Sequence, residues 1–295
     1  MRVAVVVVTY NSARVLGSCL ASLQGADVTA IVVVDNNSAD DTCAIAENTT
    51  GLPLRIVRLG RNLGYAAGIN AGIASLDGYD AVLVINPDAR LRPDTIPLLS
   101  KALELPGVGI AAPRLENPDG SLQPSLRRPP TVLRAWAEAL LGGERVGRGS
   151  LGELITDPRR YKRAGPTSWA TGGVLMISAS ASSAAGAWDE TFLLYGEETD
   201  FALRAGKLGF RTWYTPEAVV EHDGGESGTN PMLWALLTVN RVRIVRRHYG
   251  FFAWVGYYAA VVVGEALRAA AGRRTAKAAL RALLRPSTRL RVLPR

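Results

Sequence analysis

The chain has 295 residues, 48% hydrophobic and 20% charged, which are globular proportions that exclude disordered and collagen-like classes. Two cysteines (Cys19, Cys43) and two histidines (His222, His248) are too few for a disulfide framework, a four-ligand zinc site or a multi-histidine centre, and imply a reducing, cytosolic setting. Net charge is +8, yet residues 241–295 hold 13 Arg or Lys against Glu265 alone, leaving the first 240 residues at −4. A basic tail on a mildly acidic body implies an anionic partner, either nucleic acid or a membrane surface.

Residues 2–8, 29–34 and 81–85 are short, continuous apolar runs rich in β-branched residues, with a weaker one at 54–57. Such runs read as strands buried on both faces. The first is too short for a signal-peptide core and ends at Thr9-Tyr10-Asn11. Helix-like patterns at 12–23, 40–47 and 65–75 separate the strands, predicting an α/β fold with a mostly parallel, Rossmann-like sheet and flanking helices. Ligands of such sheets bind beyond the carboxyl ends of the strands. The residues to inspect are therefore Thr9 to Asn11, Asp35 to Ser38 and Asn86 to Asp88.

Farther along, Asn117-Pro-Asp-Gly120 is a turn joining two strands, and 142–165, rich in Gly and Arg, reads as a mobile loop. Regular pattern resumes at 167–177, 199–208 reads as a helix, and helices continue from Pro231. The division expected is a catalytic domain over 1–228 and a basic helical extension over 229–295. Within the extension, 251–263 is apolar but falls short of the roughly 20 residues of a spanning helix. Arg274, Lys277, Arg281 and Arg285 then share one helical face, with Ala276, Ala279, Leu280, Leu283 and Leu284 opposite. That pattern fits a helix lying in a bilayer interface or a solvated helix packed on the domain. The consecutive apolar stretch and basic face favour the membrane.

Several stretches carry chemistry. Asp88 ends a buried strand and can reach a hard cation, which takes one or two carboxylates plus substrate phosphates. Asn-Pro-Asp is also a common turn, and Asp35 to Ser38 can simply cap a helix. In residues 61–72, Arg61, Asn62 and Asn70 offer donors, while small residues at 64, 66, 67, 68, 71 and 72 permit close approach. The glycines spell neither the dinucleotide fingerprint nor the phosphate loop, which disfavours a nicotinamide enzyme or an ordinary ATPase. Asp189, Glu190, Glu197, Glu198 and Asp200 crowd one segment, where carboxylates also cap a helix. His222 follows a strand, where histidines are more often structural than ligands.

Taken in order, these blocks resemble the inverting glycosyltransferases of family 2, with the GT-A fold, and among them the rhamnosyltransferase-like branch. The resemblance runs over about residues 3–249. It rests on Thr9-Tyr-Asn11, Asp35-Asn-Asn-Ser38, Arg61-Asn-Leu-Gly64 with Gly68-Ile-Asn70, Asn86-Pro-Asp88, Gly172-Gly173, Trp188-Asp-Glu190, Tyr195-Gly-Glu-Glu198-Thr-Asp200 and His222. It implies that Thr9, Asn11 and Asp35 meet the base and ribose of a nucleotide sugar. Asn62, Gly64 and Asn70 would follow its diphosphate and sugar, with Arg61, Asn86, Gly172, Gly173, Trp188 and Asp189 as further substrate-binding positions. Asp88 takes the metal position, here Asn-x-Asp where the family usually has Asp-x-Asp, and His222 matches a position that ligates Mg²⁺ or Mn²⁺ in some relatives. Glu198 falls at the general base, with Glu197 beside it as the other candidate.

The resemblance further implies a donor of dTDP-L-rhamnose, with UDP-galactofuranose or UDP-GlcNAc as alternatives. The acceptor expected is a polyprenyl-diphosphate-linked saccharide at the inner face of the plasma membrane. A nucleotidyltransferase would carry a Gly-rich loop with a downstream Lys near its start, which is absent. A nucleic-acid-binding tail would interleave aromatic and basic residues, yet 272–295 has no aromatic residue.

Overall fold

A computed structural model of the chain describes residues 1–224, 228–290 and 292–293. In order, the first half runs β1 (Val3–Thr9), α1 (Ala13–Ala21), β2 (Ala30–Asp35), α2 (Thr42–Asn48), β3 (Leu54–Arg58), α3 (Tyr65–Ala74), β4 (Ala81–Ile85), β5 (Ala89–Leu91), α4 (Thr95–Leu103) and β6 (Val108–Glu116). Next come β7 (Leu122–Gln123), β8 (Leu126–Arg127), α5 (Val132–Leu141), α6 (Gly143–Gly147), β9 (Gly165–Thr167), β10 (Trp169–Ala170), β11 (Val174–Ser178) and α7 (Ala179–Ala185). The chain continues through α8 (Glu197–Lys207), β12 (Arg211–His222), α9 (Pro231–Ala270) and α10 (Arg274–Leu284).

The main sheet has the order β3-β2-β1-β4-β11-β6-β12-β5. Its first four strands are parallel, while β11 lies antiparallel between β4 and β6. The sheet is thus mixed, and the reversal at β11 could not be read from runs of apolar residues alone. Alternation along β1 explains its continuous apolar run. Val3, Val5 and Val7 enter a core with α1 and α4, whereas Val6 and Val8 enter a second core with α3 and α8. Each fully buried valine contributes about 1.5–3 kcal/mol, so both faces favour this register. In α3 the small residues serve contact with the sheet. A Cβ on Gly68 would fall 2.4 Å from Val8 Cγ1, and one on Gly72 would fall 2.5 Å from Val6 Cγ1.

The turn at 117–120 joins β6 to β7 as an antiparallel pair. The expected mobile loop at 142–165 is instead anchored. Tyr161 is fully buried, donates to Ile155 O at 2.8 Å and accepts from Leu126 N at 2.9 Å. Anchors at Glu153, Ile155 and Tyr161 have no helical or strand period, so periodicity could not reveal them.

The C-terminal helices form a third core with α5. By length and hydropathy, Pro231–Ala270 could cross a membrane, but it bends at Gly250, where φ is +84°. The second half then returns along the first, and Trp234 Nε1 donates to Glu265 Oε2 at 3.1 Å. The apolar face of α10 is largely covered by the protein. Its Ala276, Ala279 and Leu283 are buried, and Leu283 packs with α9 residues, while Leu284 is 57% exposed. Beside the bend, Phe251 and Phe252 are 64% and 89% exposed.

Candidate active site

Two strand pairings build the site. Antiparallel pairing of β5 with β12 sets Ala89 against His222, bringing the preceding Asp88 to the histidine. Asp88 Oδ1 lies 3.4 Å from His222 Nε2, and Asn86 Nδ2 lies 3.2 Å from the same nitrogen. Pairing of β11 with β4 sets Val174 against Ile85, so Gly173 O accepts from Asn86 N at 2.8 Å.

Gln123 fixes the imidazole's proton. Its amide nitrogen donates to Asn117 Oδ1 at 3.0 Å and to His222 O at 3.3 Å, which turns Oε1 towards His222 Nδ1 at 2.8 Å. Nδ1 then carries the hydrogen, and Nε2 presents a lone pair to Asp88 and accepts from Asn86. The Asp88 carboxylate and the Nε2 lone pair lie 3.4 Å apart, a spacing in which a cation would take that lone pair in place of the Asn86 amide. The donor set, one carboxylate and one imidazole whose other nitrogen is held by an outer residue, fits Mg²⁺ or Mn²⁺. Among the described residues no group of three His, Cys, Asp or Glu converges, so substrate phosphates would complete the shell.

The adjacent glycines link this pair to the acidic helix start. A Cβ on Gly173 would fall 3.0 Å from His222 Nε2, and one on Gly172 would fall 3.1 Å from Glu198 Cβ. Tyr65 OH donates to Gly172 O at 3.3 Å. Burial, then the negative charges of Glu197, Glu198 and Asp88, push the Tyr65 phenol well up. Consecutive glycines thus carry Glu198 on one side and the His222–Asp88 pair on the other.

The two glutamates differ in surroundings. Glu197 is buried and its Oε2 has no hydrogen-bond partner. Burial and the neighbouring Glu198 charge push its carboxyl well above the usual range, favouring the protonated form. Glu198 is half-buried beside a small pocket and accepts from Gly196 N through Oε2 at 2.9 Å. Burial raises it too, and the Arg127 guanidinium opposes that rise. Glu198 is thus the carboxylate of the pair that faces space.

The segment entering α8 is strained, with Leu193 at φ +64°, Tyr195 at +67° and Gly196 at +103°. Asn240 of α9 holds it, since its Nδ2 reaches the carbonyls of Phe192, Leu194 and Tyr195 at 2.9, 3.0 and 2.8 Å. Asn240, Gln123 and Tyr65 escaped the sequence reading. Only a buried polar residue inside an apolar stretch marked Asn240.

The nucleotide end is more self-contained. Thr9 is fully buried and donates to Val34 O at 3.2 Å, and Asn11, at φ +50°, accepts from Ala39 N at 2.8 Å. Asp35 Oδ2 accepts from the amides of Asn37 and Ser38 at 3.1 and 3.0 Å, so it shapes the turn that presents these groups. Asn36 clamps the next loop, accepting from Leu63 N and donating to Gly64 O. Asn62 accepts from Gly64 N at 3.2 Å, and Arg61 is exposed at the rim. At Gly64, φ is +94° and a Cβ would meet Leu193 O at 2.2 Å, so this glycine admits the strained segment.

Three of the expected substrate residues are engaged in contacts within the protein. The Asn70 amide is consumed by Trp188 N, Trp188 O and Glu190 Oε1, each at 2.9 Å, and ties α3 to that loop. Trp188 is buried and stacked on Phe201, with ring centroids 4.6 Å apart. Asp189 caps the turn at Thr191 and pairs with Arg247. Asp200 is likewise structural: burial pushes its pKa up, but bonds from His248 and Arg204 outweigh that and hold it low.

Comparisons with known proteins bear on the family and the fold. The sequence model "Glycosyl transferase family 2" matches residues 4–147. Over 241 residues the chain is 32% identical to the N-acetylglucosaminyl-diphospho-decaprenol L-rhamnosyltransferase of Mycobacterium tuberculosis, covering 77% of this chain and 78% of that protein. S. aureus TarS 1–349 in complex with UDP-GlcNAc superposes with a TM-score of 0.55 at 15% identity, covering 97% of this chain and 92% of that one. Glucosyl-3-phosphoglycerate synthase of M. tuberculosis, solved with Mn²⁺, UDP and phosphoglyceric acid, gives 0.51 at 17% identity, with 81% and 78% covered. The two structural likenesses speak for the fold.

Proposed function

The chain belongs to glycosyl transferase family 2, in its rhamnosyltransferase-like branch, and on that premise we propose the following reaction for it. It transfers L-rhamnose from dTDP-L-rhamnose, with inversion, to a hydroxyl of an N-acetylglucosamine-bearing saccharide joined by diphosphate to a polyprenyl lipid. The similarity to the mycobacterial enzyme supports the rhamnosyl group and the lipid-linked N-acetylglucosaminyl acceptor. The exposed Phe251 and Phe252 beside a basic tail support work at the anionic inner face of the plasma membrane.

The observation that carries the reading is the Gly172-Gly173 step, which seats Glu198 against one residue and His222 against the next. Thr9, Asn11 and the turn shaped by Asp35 receive the nucleoside. Asp88 and His222 would hold Mg²⁺ or Mn²⁺, which when bound neutralises charge on the departing diphosphate. Glu198 takes the proton of the attacking hydroxyl as its oxygen bonds to the anomeric carbon and the bond to the diphosphate breaks. Glu197, its charged form disfavoured by burial and by Glu198, opposes a second negative charge beside the base. A thermal-shift screen of nucleotide sugars with and without Mn²⁺ tests the donor. A manganese-dependent rise selective for dTDP-rhamnose is expected, and an equal or larger rise with UDP sugars overturns it.

A further inference from the structure

A cavity away from the cleft, between the two halves of α9 and α10, has a volume of about 820 Å³, suited to a small-molecule ligand. Arg243, Arg246, Arg281 and Arg289 line it, with Trp254 and Tyr258 among its apolar walls. No Asp or Glu lines it, and none of the four arginines forms an ion pair among the described residues. Their contacts are uncharged. Arg243 bonds Thr191 and stacks on Phe192, Arg246 stacks on Trp254, and Arg289 donates to the carbonyls of Ala282 and Leu283. Four guanidinium charges around one concavity without a carboxylate are matched by a ligand with at least two negative charges.

Position narrows the ligand. Trp254 lies 5.5 Å from Phe251, whose ring and that of Phe252 are exposed, so the groove opens beside the most lipophilic surface of the molecule. On its inner side the wall includes Thr191 and Leu193, part of the segment that Asn240 holds and that leads into Glu198. An amphiphile with its chain at the aromatic tip and its charge among the arginines lies against the strand of chain that carries the base.

We propose that this groove binds the diphosphate of an isoprenyl diphosphate, the anchor of the lipid-linked acceptor. The assignment rests on the acceptor reading given above and adds where that acceptor is held. Diphosphate, rather than a single phosphate headgroup, suits the number of unpaired arginines, and enclosure distinguishes the site from a flat basic face.

Calorimetric titration of the full chain with geranylgeranyl diphosphate tests it, beside an Arg246→Ala/Arg281→Ala variant whose melting curve confirms folding. Both side chains are exposed and without ion pairs. The expected result is at least tenfold weaker binding by the double variant, and weaker binding of geranylgeraniol than of the diphosphate to the unaltered chain. Retained affinity in Arg246→Lys/Arg281→Lys supports a charge role. Affinity in the alanine variant within twofold of the unaltered chain overturns the proposal, as does displacement of the diphosphate by phosphatidylglycerol vesicles or by a single-stranded oligonucleotide. If the unaltered chain binds the diphosphate through these arginines yet transfers no rhamnose to its N-acetylglucosaminyl derivative, the groove assignment stands and the donor or acceptor reading falls.

Discussion

Asp88 Oδ1 stands 3.4 Å from His222 Nε2, and the register that brings them together is set by the pairing of Ala89 with His222. Asp88→Asn leaves that pairing intact but removes the anionic ligand. In the presence of dTDP, the apparent affinity for Mn²⁺ is expected to fall about 10–100-fold, while the metal-free melting temperature changes little. A manganese titration of the thermal shift checks this, and an unchanged midpoint refutes it.

Gly173 touches the same histidine from the other side. Gly173→Ala places a methyl carbon 3.0 Å from His222 Nε2, so the ring must shift. We expect it to reproduce the manganese defect of Asp88→Asn. Gly165→Ala, which meets nothing within 4 Å, should be silent in the same titration.

Glu198→Gln and Glu197→Gln separate the two acids. Replacing the base should lower kcat about 10²–10⁴-fold with donor binding retained. Replacing Glu197 by its uncharged isostere should leave kcat within several-fold. Stability gives a second readout. Glu197 has a raised pKa when folded, so its contribution is complete below its unfolded value and is lost as pH rises through the folded one. Glu197→Gln should therefore lose less melting temperature than the unaltered chain between pH 5 and pH 8. A steeper loss in the variant contradicts the raised pKa of Glu197.

The pH profile follows from the other glutamate. Burial raises Glu198, and the base works only when deprotonated. Activity should therefore fall as pH drops, with the acid limb of kcat/KM above the ordinary carboxylate range. A limb at the ordinary glutamate value, about 4.3, would show an unperturbed base.

Asn240→Ala removes the amide that holds three carbonyls of the strained segment before α8. Each buried acceptor left without a partner costs about 1–3 kcal/mol, so a loss of several kcal/mol in stability is expected, with kcat falling more than donor affinity. Chemical denaturation and steady-state kinetics measure the two effects.

What was legible in the sequence was local. The parallel strands, the turn at 117–120 and the start of α8 each left a contiguous signal. Asp88 and His222 were named from short motifs, yet their meeting depends on an antiparallel pairing that no motif spells out. Asn70, Trp188 and Asp189 share blocks with cleft residues, but their groups are spent on one another's loops and on Phe201, which sequence order cannot distinguish from contact with substrate. The basic face of α10 was visible as a pattern. Which surface would cover its apolar side was not, because Gly250 folds the second half of α9 back to meet it.

Crystals soaked with dTDP-rhamnose and manganese, measured at a wavelength where manganese scatters anomalously, address the shared cleft most directly. The account predicts a single anomalous peak between Asp88 Oδ1 and His222 Nε2, bridged to the diphosphate, with the Glu198 carboxylate facing the anomeric carbon. A nucleotide bound with manganese elsewhere, or with Glu198 turned away from the sugar, would contradict it.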